Sequence, residues 1–111
     1  MTDLIKQYYN STKKEQKRIA REYDIWVSQL PCCISGSLNT SKPHHHRNNK
    51  YCGTGMKPPD IFEVPITYEL HTEVHTTGVK TFEKKYNIDF NEIIIKLHRE
   101  YMHELVGNLH G

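Results

Sequence analysis

The sequence predicts one small α+β domain, and three observations lead to this fold class. Apolar residues recur at helical spacing between residues 12 and 30. The segment from Pro31 to Pro59 is rich in Ser, Asn, Gly, Pro and Cys, a composition typical of turns and short strands. Helical patterns then return after residue 67. Because 111 residues can bury one modest core but not two, we expect a single domain spanning 1–111.

The first long helix is predicted from about Lys13 to Leu30. Thr12 and Glu15 form a capping-box pattern at its start, and Pro31 cannot continue it. Its apolar stripe faces the predicted core and consists of Ile19, Tyr23, Trp26, Val27 and Leu30. The other side is basic between Lys13 and Arg21, which fits either a solvated helix face or a contact for an anionic polymer.

The second half predicts a short strand followed by three helices. Ile61, Phe62, Val64 and Ile66 lie in a stretch from Asp60 to Thr67 that is typical of a strand. Thr67 can cap the first helix, and Gly78 is a helix stop. A second helix is predicted from Val79 to Tyr86, and Asp89 can cap a last one that runs to about Leu105. We expect His98 and His103 at the surface.

Charge and composition restrict the class of partner and the compartment. Residues 1–50 carry nine Lys or Arg against four Asp or Glu, a net of +5, whereas residues 51–111 have a net of −3. A basic half favours an anionic polymer as partner. No apolar window is long enough for a membrane span and no secretory pattern is visible, so we expect a cytoplasmic protein. The odd number of cysteines does not favour a disulfide framework.

Five of the eight histidines fall in two clusters, near residue 45 and near residue 73. His71 and His75 are four residues apart, so on a helix they lie on one side and can hold one metal ion between them. A third histidine from an upstream strand would leave coordination positions open for catalysis. The metalloprotease pattern H-E-x-x-H does not fit, because Thr72 follows the first histidine and Glu73 projects to another side.

Residues 31–87 resemble the HNH, or ββα-metal, endonucleases, and most narrowly the small phage-type members associated with recombination. The motifs occur in the order expected for that family and are His44-His45 with Arg47, the stretch Gly53 to Asp60, Val64-Pro65-Ile66, His71 with His75, and Phe82 to Asp89. The resemblance implies a ββα-metal core over 31–78, an N-terminal helical arm over 1–30 and C-terminal helices over 79–111.

The resemblance also implies a role for each matching residue. His44, His71 and His75 correspond to the metal ligands, and His45 corresponds to the general base that takes a proton from water. Asp60 stands where the family places the residue that orients the loop carrying the base. Arg47 adjoins this catalytic pair. The basic residues expected to contact DNA phosphates are Arg47, Lys57, Lys42 and Lys50.

Two features of the pattern leave alternatives open. In a strand His44 and His46 share a face, so His46 is a second candidate for ligand or base. Many members of that family bind a structural zinc ion through four cysteines. Here Cys32 remains, but Ser35, Thr67 and Leu70 occupy the other three positions. Cysteines 32, 33 and 52 therefore form either a makeshift zinc site or free thiols, and in the absence of zinc we expect the flanking helices to brace the core.

The cofactor implied is one divalent metal ion. Magnesium or manganese is expected to support activity, whereas three imidazoles also suit bound zinc or nickel. Activity should fall below roughly pH 6, as imidazoles become charged.

The function expected is metal-dependent DNA endonuclease activity, of phage origin, in recombination, repair or DNA processing within a bacterial cytoplasm. DNA is the expected partner, and the resemblance leaves open a recombinase partner and a homodimer. The alternatives are a non-catalytic, metal-stabilised nucleic-acid-binding module and a metal-binding protein that does not contact nucleic acid.

Overall fold

A computed structural model describes residues 2–38, 40, 43–46 and 59–110. The fold is α+β, mostly helical, with a two-stranded antiparallel sheet. In chain order the elements are α1 (Asp3–Tyr9), α2 (Lys13–Ser28), β1 (His44–His45), a 3-10 helix (Asp60–Phe62), β2 (Glu63–Val64), α3 (Tyr68–Thr77), α4 (Val79–Tyr86) and α5 (Phe90–His110). Within the described part of the chain, no helix is both long and apolar enough to cross a membrane.

Threonine caps begin three of the helices. Thr2, Thr12 and Thr67 each accept a hydrogen bond through Oγ1 from the backbone N–H three residues later, at 3.2, 3.2 and 3.3 Å. The predicted starts of α2 and α3 are therefore confirmed, because the cap is a local interaction that the sequence encodes directly. Helix α1 was not predicted as a separate element, and α2 ends at Ser28, before the predicted Leu30.

The sheet is shorter than the sequence suggests. His44 pairs with Val64 and His45 with Glu63, and the His46 N–H extends the pairing by donating to the Phe62 carbonyl at 3.0 Å. The predicted strand from Asp60 to Thr67 is therefore wrong in length. Its first residues form a 3-10 turn, and Pro65 has no N–H to continue a ladder.

The three C-terminal helices follow the predicted boundaries closely. Gly78, at φ +90°, separates α3 from α4. Asn87 ends α4 in the left-handed conformation, and the Asp89 carboxylate accepts the Asn91 N–H at 2.8 Å at the start of α5. Helix α5 continues to His110, beyond the predicted Leu105.

Helices α2 and α5 pack on the segment that contains the 3-10 helix and β2, so long helices flank the sheet. Buried apolar residues from all these elements form one core, which includes Ile19, Tyr23, Val27, Ile61, Phe62, Val64, Phe90 and Ile94. The sheet thus lies against helices on sequence-distant parts of the chain.

His98 on α5 is fully buried, so the expectation that it lies at the surface is wrong; His103 is exposed as expected. His98 Nε2 donates to the Ile61 carbonyl, and Nδ1 accepts from the Thr2 hydroxyl at 2.8 Å. The ring therefore connects α5, the 3-10 helix and the cap of α1. Burial lowers the pKa of His98, because water no longer stabilises its charged form.

Candidate metal centre

Three histidines converge between β1 and α3. The ligand nitrogens of His44, His71 and His75 all lie within 4.8 Å of one another. The Nε2 atoms of His71 and His75 are 3.0 Å apart, because the two residues are one helical turn apart on α3. The ring of His44 lies 5.3 Å from that of His71 and 6.1 Å from that of His75. The structure thus brings together the three residues predicted as metal ligands.

The chemistry of this group fits a divalent cation. His44 is buried, and neither of its ring nitrogens has a hydrogen-bond partner among the described residues. Burial, with the nearby His71 as a smaller cause, lowers the pKa of His44 to about 3, so its imidazole remains neutral and keeps a lone pair. Neutral imidazole is the form that binds metals. His71 is partly buried and His75 is exposed, which leaves one side of the group open to solvent.

His45 projects from the opposite face of β1 toward two carboxylates. Its Nε2 lies 2.7 Å from Asp60 Oδ1 and 2.8 Å from Glu63 Oε1. The hydrogen bond to Glu63 is the largest cause that raises the pKa of His45, and Asp60 acts in the same direction against partial burial. In the neutral ring, the Nε2–H donates to these carboxylates and Nδ1 carries the lone pair. The predicted pair of His45 and Asp60 is therefore in contact.

Glu63 is a candidate functional residue that was not predicted from the sequence. It lies directly opposite His45 in the ladder and is only 1% exposed. Burial is the main cause that raises its pKa to about 7; the neighbouring Asp24 adds to this effect and His45 opposes it. In the sequence, an acidic residue between Phe62 and Val64 in a predicted strand could have indicated a functional role. Its partner cannot be identified without the register of the strands.

His46 lies outside both groups of described residues that could hold an ion. It is 6% exposed, and its ring packs 5.3 Å from that of Phe90. Its burial and its contact with Phe90 fit a packing role. Its alternative role as ligand or base has no support from this arrangement.

The predicted phosphate-binding residues Arg47, Lys42, Lys50 and Lys57, and also Cys52, lie outside the described residues. Another basic surface lies beside Asp60. A cleft with a volume of about 410 Å³ is lined by Tyr8, Lys13, Gln16, Lys17, Ala20, Pro59 and Asp60. The basic side of α2 therefore lies next to a carboxylate that contacts His45.

The turn after α2 approaches the start of α3. Cys32 Sγ accepts N–H groups from Ile34 at 3.5 Å and Ser35 at 3.4 Å, and the backbone of Thr67 also interacts with this thiol. Cys32 and Cys33 are free thiols. Cys32, Ser35 and Thr67, three of the four positions that the sequence resemblance compares with a zinc site, are therefore neighbours, and among them only Cys32 is a cysteine.

Glu73 is engaged away from the histidines. Its carboxylate accepts hydrogen bonds from Lys85 Nζ at 2.8 Å and the Tyr86 hydroxyl at 2.7 Å. The residue therefore connects α3 to α4. This arrangement agrees with the expectation that it does not serve as the base of a metalloprotease.

These features define the class of protein: a small α+β fold with groups of histidine and acidic side chains that could hold a metal ion. The chain belongs to the family described as "Protein of unknown function (DUF968)", which matches residues 6–102. It is similar to "Uncharacterized protein YdfU" of Escherichia coli (strain K12), with 34% identity over 73 residues, or 66% of this chain and 20% of that protein. The chain thus spans about a fifth of that relative's length. No solved structure matches the chain.

Proposed function

We propose that this protein is a metal-dependent endonuclease of the HNH class that hydrolyses DNA phosphodiester bonds. The proposal rests on the different surroundings of two adjacent residues of β1. His44 faces the two histidines of α3, while His45 faces two carboxylates on the other side of the strand. A metal ion and a general base in this arrangement can together catalyse phosphodiester hydrolysis.

The order of the elements supports the same class. A strand with two adjacent histidines pairs with an antiparallel strand, and the helix that follows carries the remaining two histidines. The proximity of Cys32, Ser35 and the backbone of Thr67 adds support, because many HNH endonucleases, which this chain resembles, use the corresponding positions for structural zinc. In this protein α2 packs on the 3-10 helix and β2, and α5 packs on β2.

His45 has the surroundings that a general base needs. In its neutral form, Nδ1 can take a proton from a water molecule while the Nε2–H continues to donate to Asp60 and Glu63. The two carboxylates fix the tautomer and stabilise the imidazolium that forms, as an acidic partner does for a catalytic histidine in general. A divalent cation held by His44, His71 and His75 would stabilise the negative charge that develops on the phosphate oxygens.

The three imidazoles suit zinc or nickel as the bound ion, and we expect magnesium or manganese to support turnover. The cleft beside Asp60 suggests how DNA approaches. Lys13 and Lys17 line it on the side of α2, so their ammonium groups could contact backbone phosphates near His45. Contacts of this kind hold DNA without strong sequence preference. By resemblance, we assign the activity to phage DNA recombination, repair or processing.

The test is conversion of supercoiled plasmid to nicked or linear DNA with magnesium, manganese, nickel or zinc. We expect metal-dependent cleavage by the natural protein, loss of at least a hundredfold in rate for His45→Ala, and full activity for His103→Ala, an exposed histidine on α5. Branched and single-stranded DNA serve as further substrates. DNA binding without cleavage in every condition would contradict the proposal and favour a non-catalytic binding module.

A further inference from the structure

We infer that His45, Asp60 and Glu63 form a second divalent-cation site, distinct from the three-histidine group, with Asp24 beside it. The two sites occupy opposite faces of β1, since His44 and His45 are adjacent in the strand. The ligand atoms of His45, Asp60 and Glu63 also lie within 4.8 Å of one another.

Two carboxylates contact the same nitrogen atom, His45 Nε2, as ligands of one ion would. Carboxylate oxygens of Asp60 and Glu63 approach this single nitrogen at 2.7 and 2.8 Å. One N–H cannot point straight at both acceptors, whereas a cation can bind all three atoms at once. Ligands of a tetrahedral zinc ion lie about 3.3 Å apart, so outward movements of a few tenths of an ångström would suffice.

Glu63 supplies an independent observation. The residue is 1% exposed, and its Oε2 has no hydrogen-bond partner among the described residues. The neighbouring acid, Asp24 on α2, interacts with the same carboxyl group. When both acids are ionised, a buried carboxylate oxygen without a donor is costly and the second acid adds repulsion; a hydrogen bond between Glu63 and Asp24 relieves this only when one of them carries a proton. A divalent cation would offset both costs.

The donor set identifies the class of ion. One imidazole with two or three carboxylates suits manganese, zinc and related divalent ions, whereas the three-imidazole group is richer in nitrogen. The side chain of Asp60 is 33% exposed and lines the cleft beside α2, so an ion has a route from solvent. We therefore expect the second site to be weaker than the first and more tolerant of manganese.

Filling this site has a consequence that rests on the proposed function. The cation would bind the lone pair of His45 Nε2, so the single proton of the neutral ring moves by way of solvent from Nε2 to Nδ1. Nδ1 then has no lone pair with which to take a proton from water. Cleavage should consequently rise as the first site fills and fall as the second site fills.

The experiment is equilibrium dialysis of the metal-stripped protein against increasing Mn²⁺ or Zn²⁺, with bound metal measured by atomic emission. We expect two equivalents for the natural protein and one for Glu63→Gln, which removes a carboxylate while keeping its shape. The double variant His71→Ala/His75→Ala should also bind one equivalent, at the second site. If Glu63→Gln fails to fold, Asp60→Asn replaces it, because Asp60 is partly exposed. This variant should also bind one equivalent.

Glu92→Gln, which changes an exposed carboxylate on α5, is the matched control and should keep two equivalents. A single equivalent at all concentrations in the natural protein, or a second equivalent that survives both Glu63→Gln and Asp60→Asn, would overturn the inference. Two equivalents together with no DNA cleavage at any metal concentration, including those at which only one equivalent is bound, would refute the proposed function but support the second site. Cleavage by a protein that never binds more than one equivalent would support the proposed function but refute the second site.

Discussion

At the scale of single residues, the alternation of side chains along β1 separates the two candidate roles. His44 contributes to the three-histidine group, and His45 contacts the carboxylates of Asp60 and Glu63. Adjacent residues of a strand point to opposite faces, so two histidines in sequence give two distinct environments. Burial keeps His44 neutral, whereas acidic neighbours favour a proton on His45.

The substitution Glu63→Gln tests the positioning of His45. Loss of the buried carboxylate removes the largest stabilisation of the His45 imidazolium. We expect kcat for plasmid cleavage to fall by about tenfold to a hundredfold with little change in KM, since Glu63 acts through His45 and not on DNA. Steady-state kinetics at limiting metal will measure both. Unchanged kcat would exclude a positioning role, and Glu92→Gln should behave like the natural protein.

His98 predicts a dependence of stability on pH. Its folded pKa lies below the unfolded value of about 6.5, so as the pH falls below 6.5 the unfolded chain binds a proton that the folded protein refuses. Stability from this residue is complete above pH 6.5 and is lost toward the folded pKa, by about 1.4 kcal/mol per pH unit at most.

Urea unfolding at pH 7.5 and pH 5.5, in the presence of a chelator, measures this effect. The free energy of unfolding should fall by about 1 kcal/mol more in the natural protein than in His98→Gln. The other histidines contribute alike to both proteins, so the difference isolates residue 98. His103→Gln, at an exposed position, should lose as much as the natural protein. Equal losses in all three would contradict the prediction.

At the scale of elements, most helix starts were predictable, whereas the lengths and pairing of the strands were not. Thr12, Thr67 and Asp89 mark helix starts through side-chain hydrogen bonds to nearby backbone, which the sequence encodes locally. The two-residue strands depend instead on pairing between residues about 18 positions apart. Their register also brings Glu63 to His45. The pattern thus predicted the helix that carries His71 and His75 but not the buried acid that pairs with His45.

The cap of α3 should affect both stability and metal binding. Thr67→Ala removes the acceptor for the Leu70 N–H, and helix caps of this type contribute about 1 kcal/mol. We expect that loss in urea unfolding, together with weaker zinc binding, because α3 positions His71 and His75. Thr72→Ala is the matched control, since it removes an exposed threonine from the middle of the same helix. Thr67→Ser should restore most of the stability.

The basic side of α2 should contribute to DNA affinity. Replacing Lys13 and Lys17 by Ala removes two ammonium groups from the cleft beside Asp60. We expect weaker binding at low salt, and a slope of log affinity against log salt that is less steep by about 1 to 2. Fluorescence anisotropy will measure it. Lys80→Ala with Lys96→Ala removes the same charge from exposed sites on α4 and α5, and an equal effect would contradict a specific contact.

At the scale of the whole molecule, the three-histidine group connects β1 to α3, which are separated in the chain by more than 20 residues. A bound ion would therefore cross-link distant segments. Zinc at a hundred times its Kd should add about 2.7 kcal/mol to the free energy of unfolding. Differential scanning calorimetry should accordingly show a Tm several degrees higher with zinc than with chelator. At zinc concentrations too low to fill the weaker second site, the shift should be largely lost in His71→Ala/His75→Ala and kept in His103→Ala.

The pairing of Glu63 with His45 across the ladder also constrains how the family can diverge. Without an imidazole at position 45, the acid at position 63 would remain buried and would lose the hydrogen bond to its Oε1, which is costly because its Oε2 already has no partner among the described residues. Family members that have lost His45 should therefore also have replaced Glu63 by a neutral residue. Positions 45 and 63 are expected to covary in an alignment, and paired loss at both would mark lineages that lack the proposed activity.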